Sequence, residues 1–242
     1  MAIKIMLDAG HFGRQNLSPC DTKPKYYESE MTWKLHLYLK TELERYGFVV
    51  GTTRSDQAKD LEVYQRGLKA KGYDMFLSLH SNAAGNYVTS GVDRPIIIYP
   101  VKNNDAQKAF AGLIGGVIRQ VMQTKQNYQI YTREYPNRPD QDYYGVIRGA
   151  VAAGCEMAFI LEHGFHTDPS CTAWLLDDEN LKRLAVVEAQ AIANYYKSIG
   201  NPINEKNTLY TVQVGCFSQK TNAENMLNRL KSAGFTGFIK EV

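Results

Sequence analysis

Three apolar runs in this sequence end on residues that can do chemistry. Residues 3–7 lead into Asp8, two small residues and His11; the run in "MFLSLHSNAAG" closes on His80; "MAFILEHGFHTD" brings its run to Glu162. Short apolar runs bounded by Gly-containing turns read as buried strands. With right-handed helical crossovers the ends of parallel strands share one edge of the sheet, where open α/β folds carry their working residues. Glycine or another small residue stands within two positions of each of the three, which leaves room for a ligand. Two imidazoles and a carboxylate on one edge are the donor set of a metal hydrolase. Singly, each has a plainer reading as a hydrogen-bonded strand tip; the coincidence of three is what points to a site.

A hydrolytic zinc site usually takes a third protein ligand and keeps one position open. "YYESEMTWKLHLYL" offers Glu28 and Glu30. Glu28 shares the apolar stripe of Met31 and Leu35, whereas Glu30 falls with Lys34 and Leu37, away from the centre of that stripe. A carboxylate on the core side of a helix is costly unless paired or bound to metal. The other reading of Glu28 is a negative charge favoured at a helix N-terminus. Asp8 is placed either to orient His11 or to stabilise its turn. His163 should point to the opposite face of the strand from Glu162. His166 is read as a rim or structural histidine, His36 as a surface residue, and Arg66 as a partner in a structural ion pair. A Cys/His nucleophile at Cys155 or Cys171 is outweighed by the core role usual for such cysteines.

The elements that would position these residues follow from periodicity. Strands are expected at 3–7, 48–53, 75–79 and 157–161 and in "RPIIIYP", whose flanking prolines place it near an edge. Helices are expected over 28–46 with Gly47 as its stop, around Leu61, Tyr64 and Leu68, and over 181–196. Another should follow a cap at Asn104 or Asp105, with Ala106, Phe110, Leu113, Ile114, Val117 and Val121 on one side. This alternation predicts an α/β fold, a mostly parallel sheet flanked by helices. Residues 127–145 read as a mobile loop, with a groove wall as the alternative. A polar stretch over 199–207 reads as a linker between a domain of residues 1–198 and a small βαβ fragment of residues 208–242. That fragment joins a strand in "LYTVQVGCF", a helix in "NAENMLNRLKSAGF" and a strand in "TGFIKEV", and is too small to fold alone.

Composition narrows the function. Hydrophobic residues at 44% and charged residues at 22% are ordinary for a globular protein. A net charge of +3 is too mild to argue for a nucleic-acid partner. No apolar run is long enough to span a bilayer, so membrane insertion is not expected. The opening "MAIKIMLDAGH" does not read as a secretory signal. The four cysteines, Cys20, Cys155, Cys171 and Cys216, form no CxxC pair and are expected as free thiols.

"DAGH", "YYESEMTWKLHLYLKTEL", "DMFLSLHSNAA" and "ILEHGFHTD", in that order, resemble the zinc-dependent N-acetylmuramoyl-L-alanine amidases of the Amidase_3 family over residues 1–198. "TTRSD" and "VYQRGLKAKGYD", with Arg54 and Arg66, fit the same pattern. Phe12 stands where the family usually has glycine, and Glu156–Met157 where a proline is common. The resemblance implies that His11, Glu28 and His80 bind Zn²⁺ and that Glu162 is the catalytic carboxylate. It implies a peptidoglycan hydrolase that uses zinc-activated water to cleave the amide between N-acetylmuramic acid and the L-alanine of the stem peptide. Residues 208–242 are similar to the first half of a SPOR domain, a peptidoglycan-binding module. Completing that half requires a missing remainder or a homodimer formed through residues 208–242. The protein is expected to be made in the cytoplasm and to reach the wall after release, as a phage endolysin let out by a holin or an autolysin freed on mother-cell lysis. The rival readings are a zinc peptidase cutting within the stem peptide and a non-catalytic wall-binding protein with a decayed site. The intact set of His11, Glu28, His80 and Glu162 argues against decay.

Overall fold

The apolar runs form strands of one six-stranded sheet in a computed structural model that describes residues 2–103, 105–201, 203, 214–232 and 239. β1 (Lys4–Ala9), β2 (Val49–Thr52), β3 (Met75–Asn82) and β8 (Met157–Phe165) are joined in parallel, and β4 (Ile96–Ile98) and β5 (Gln129–Tyr131) complete the order β2-β1-β3-β8-β4-β5. β4 runs antiparallel to β8. The strand of "RPIIIYP" lies next to the edge, as its prolines suggested: β5 alone covers it, with Gln129 N donating to Pro95 O at 3.0 Å. Both β5 and the hairpin of β6 (Glu134–Tyr135) and β7 (Arg138–Asp142) lie in the segment read as a mobile loop.

Helices cover both faces of the sheet. α1 (Glu28–Arg45), α3 (Asp105–Met122) and α6 (Asp178–Ser198) bury Leu35, Leu39, Phe110, Ile114, Leu184 and Ile192 against Ile5, Leu7, Leu77 and Phe159. α2 (Val63–Leu68) and α4 (Gly145–Ala152) pack with Phe76, Ile98 and Ile160 on the other face. These two short helices touch backbone to backbone: a Cβ on Gly149 would stand 2.2 Å from Tyr64 O, so glycine is required there. α1 carries Glu28 and Glu30 in its first turn and Arg45 in its last, matching charge to the helix dipole. Gly47, at φ +82°, turns the chain out of it. α5 (Pro169–Leu176) starts on Asp168, whose side chain accepts from Cys171 N.

Several expectations are corrected. His36 is buried at 1% exposure, because Leu7, Thr53 and Arg54 close over the helix face next to the apolar stripe. Leu113, expected on the buried side of α3, is 41% exposed; the buried face runs through Gln107, Phe110, Ala111 and Ile114 instead. Leu61 precedes α2, which is capped by Glu62. The chain divides into two compact units, Met1–Lys206 and Asn207–Val242. In the second, α7 (Lys220–Ser232) is the expected helix. Val214–Phe217 of the expected strand is not extended into a sheet; the rest of it, and all of "TGFIKEV" except Ile239, lies outside the described residues. No helix among the described residues is long and apolar enough to cross a membrane.

Candidate active site

The ends of β1 and β3 are pressed together, and glycine makes that possible. A Cβ on Gly10 would stand 2.4 Å from Cε1 of His80. The next residue, His11, adopts φ +58°, a left-handed conformation uncommon for a residue with a side chain and typical of functional turns. The two imidazoles meet edge to face with centroids 5.0 Å apart. Glu28 is the first residue of α1 and only 2% exposed. Its Oε1 lies 2.9 Å from His80 Nδ1 and 3.3 Å from His11 Nε2. Ser81 N donates to the same oxygen at 3.0 Å, and Asn16 Nδ2 donates to Oε2 at 2.8 Å. One donor atom from each of His11, Glu28 and His80 lies within 4.8 Å of the others, a cluster able to hold a metal ion. Glu30, by contrast, is exposed and paired with Arg14 at 2.9 Å. The helical stripe thus buries Glu28 and leaves Glu30 on the outer side.

Glu162 sits directly across from His80 in the β3–β8 register and lines the same cavity of about 560 Å³ as His11, Glu28, His80 and His166. Its Oε2 is buried without a hydrogen-bond partner among the described residues. Burial, reinforced by the negative charge of Glu28, pushes the Glu162 carboxyl well above the usual range. Burial alone would do the same to Glu28, but its contacts with His11 and His80 hold it well below that range. Two carboxyls in one cavity are thus driven apart, the pattern that separates a proton carrier from a fixed charge. His166 is placed on the cavity wall by Ser81, whose Oγ lies 2.9 Å from Nδ1, and by Tyr26, which stacks on the ring and bonds Ser81 Oγ at 2.7 Å.

Asp8 does not reach His11. It is fully buried, accepts from Thr53 Oγ1 at 2.6 Å and Ser78 Oγ at 2.7 Å, and pairs with Arg66 Nη2 at 3.2 Å. With the Ser78 hydrogen given to Asp8, Ser78 Oγ accepts from His80 Nε2 at 3.0 Å. That leaves Nδ1, the nitrogen facing Glu28, as the open donor atom of the ring. Such outer partners commonly set which nitrogen of a histidine binds metal. Arg66 takes the structural role expected of it, and Arg54 donates to Ala9 O at the end of β1. His163 points away from the cavity, with Nε2 2.8 Å from Glu188 Oε1. Cys20, Cys155 and Cys171 are free and buried, and Cys216 is exposed. Burial pushes the Cys155 and Cys171 thiols up to about 12, which disfavours the thiolate that a nucleophile needs. Sequence reasoning missed Asn16 and Tyr26, whose irregular loops carry no period; Ser78 and Ser81 were findable, on the same strand as His80.

Residues 5–194 match the N-acetylmuramoyl-L-alanine amidase family. The chain belongs to that family. It is a peptidoglycan hydrolase of the N-acetylmuramoyl-L-alanine amidase class. A SPOR domain matches residues 182–241, starting inside α6, and implies peptidoglycan binding by that part. The sporulation-specific N-acetylmuramoyl-L-alanine amidase of Bacillus subtilis (strain 168) is 25% identical, over 98% of this chain and 84% of its own length. N-acetylmuramoyl-L-alanine amidase CwlM of Bacillus licheniformis is 24% identical with the same coverage. The structure of an N-acetylmuramoyl-L-alanine amidase from Clostridium difficile 630 shares the fold at TM-score 0.67 and 21% identity, covering 82% of this chain and 99% of that one. None of these likenesses supports the homodimer expected through residues 208–242, and most of the strand residues that would pair lie outside those described.

Proposed function

We propose that this amidase cleaves the bond between N-acetylmuramic acid and L-alanine with Zn²⁺ held by His11, Glu28 and His80, and with Glu162 as the proton carrier. The residues fit the ion. Two imidazoles and one carboxylate are zinc's usual donors, and here the three donor atoms converge within 4.8 Å beside an open cavity. A bound zinc supplies Lewis-acid chemistry there, bringing water towards a pKa of about 7 and polarising a carbonyl. The observation that carries the reading is Glu162, buried beside the donor set with Oε2 free of any partner. Its raised proton affinity suits a group that takes a proton from water on Oε2 and returns it to the departing alanine nitrogen. Asn16 and the Ser81 amide hold Glu28 so that Oε1 stays between the imidazoles. His166 and Tyr26 wall the cavity on the side of Ser81. The SPOR part adds hold on the wall, and the likeness to a sporulation amidase favours action after mother-cell lysis over phage release.

The test is digestion of purified peptidoglycan with the full chain, followed by labelling of new amino termini. New N-terminal alanine, lost with a chelator and restored by zinc, is the expected outcome. A different terminus identifies a peptidase, and no new terminus a binding protein. Glu28→Ala should weaken zinc binding by more than about tenfold, while Glu30→Ala leaves it unchanged.

A further inference from the structure

The strand pairing behind the cavity is irregular. From His80 to Asn82, β3 advances two residues while β8 advances three, from Glu162 to Phe165. The extra residue falls at His163–Gly164, where Gly164 takes φ +121° and a Cβ would stand 2.6 Å from Cys171 Sγ. Bulges of this kind bend a strand and re-aim its side chains, often beside active sites. At this one the His163 ring bonds to both sides. Nδ1 lies 2.9 Å from the carbonyl oxygen of His80 and, since a carbonyl only accepts, donates to it. Nε2 lies 2.8 Å from Glu188 Oε1 on α6. Both side chains are 0% exposed, and the second Glu188 oxygen has no partner, so His163 is that carboxylate's sole hydrogen-bond partner among the described residues. Their surroundings are apolar, with Leu161 and Leu184 among them.

A buried ion pair is a poor stabiliser, because an apolar pair of like volume fills the same space without desolvation cost. What an apolar pair cannot supply is a directed hydrogen bond to the His80 carbonyl. We propose that His163, held by Glu188, is a positioning residue that fixes the bulge of β8 against the end of β3 and so sets His80 and Glu162 in one site. This rests on the reading of His80 as a zinc ligand and Glu162 as the proton carrier. Neither His163 nor Glu188 touches substrate or metal; both act through the backbone of the residues that do.

Two sets of variants of the full chain test this by zinc affinity in chelator competition, thermal midpoint, and kcat and KM at saturating zinc. In His163→Leu/Glu188→Leu the midpoint should equal or exceed that of the wild type, while zinc affinity falls about 10–100-fold and kcat falls with KM held. A role in stability alone would leave zinc affinity and kcat untouched. The second set, on a Glu188→Gln background, compares His163→Asn, whose amide nitrogen stands where Nδ1 does, with His163→Gln, whose amide nitrogen stands where Nε2 does. The asparagine variant should keep the zinc affinity of Glu188→Gln and the glutamine variant should lose it, at similar midpoints. Should the leucine pair fail to fold, this contrast decides alone. Equal zinc affinity in the asparagine and glutamine variants, or wild-type affinity and kcat in the leucine pair, overturns the proposal. A wild-type chain that binds no zinc overturns instead the reading of the site on which it rests.

Discussion

Glu162 and His163 are consecutive residues of β8 with opposite surroundings. Glu162 faces the cavity with one oxygen unpartnered and its carboxyl pushed well above the usual range by burial and Glu28. His163 faces the core with both ring nitrogens engaged. The same division runs through the other buried polar groups. Asp8 pairs with Arg66 beneath the sheet edge, whereas Glu28 sits among two imidazoles whose nitrogen atoms converge with its carboxylate on one small space that could hold a metal ion. Burying an unsatisfied polar group costs stability, so a fold keeps one only where something else depends on it. Around the cavity, the groups closed into pairs hold the strand ends in place, and the open oxygen of Glu162 is the one that faces the space where a substrate would sit.

The contrast breaks or holds most visibly at Glu162. Glu162→Gln keeps shape and removes the proposed proton carrier, so kcat should fall by about 10²–10⁴-fold. Zinc content should be retained. Because the glutamine also removes a buried group that can become charged facing Glu28, the thermal midpoint should hold or rise. Metal analysis, a melting curve and turnover on soluble muropeptide read all three. Loss of zinc or a lowered midpoint would mean that Glu162 belongs with the structural pairs.

Asp8→Ala should do the reverse. It leaves Arg66 buried without its carboxylate, and breaking a buried pair in this way costs about 3–5 kcal/mol. Urea unfolding of the metal-free chain should show that loss. An unchanged unfolding midpoint would show that the Asp8–Arg66 pair contributes nothing, and that satisfied groups in this fold are not its stabilising ones.

Much of this arrangement was legible in the sequence, and what was missed shares a cause. β1, β3 and β8 are continuous apolar runs, and α1 declares both its face and its preference for Glu28 through residues three and four apart. β5 has three residues, none of them in an apolar run, and exists because β4 lies beside it. The link from Asp8 through Ser78 to His80 depends on the register that sets Asp8 opposite Ser78, which no local pattern encodes. His36 was misjudged for the same reason. Its cover comes from Leu7, Thr53 and Arg54, distant in sequence and delivered only by the sheet.

That misjudged residue gives the smallest of these effects and a clear sign. Burial, with Arg54 adding to it, lowers His36 from 6.5 to about 4, against a hydrogen bond to Trp33 O that works the other way. The folded state therefore holds His36 neutral where the unfolded chain begins to protonate it. The associated stability is fully present above about pH 6.5, the unfolded value. It is lost as pH falls through the window down to the folded value near 4, because the unfolded state there binds the additional proton. At about 1.4 kcal/mol per pH unit, the loss amounts to roughly 3 kcal/mol by pH 4. Many carboxylates titrate in the same window, so the informative quantity is the difference between the wild type and His36→Leu, measured by urea unfolding at pH 7 and pH 4. The wild type should lose about 3 kcal/mol more than the variant over that span. Parallel losses would mean that His36 becomes charged without leaving its place under Arg54, and that this buried group, satisfied through Trp33, is less tightly closed than the Asp8–Arg66 pair beside it.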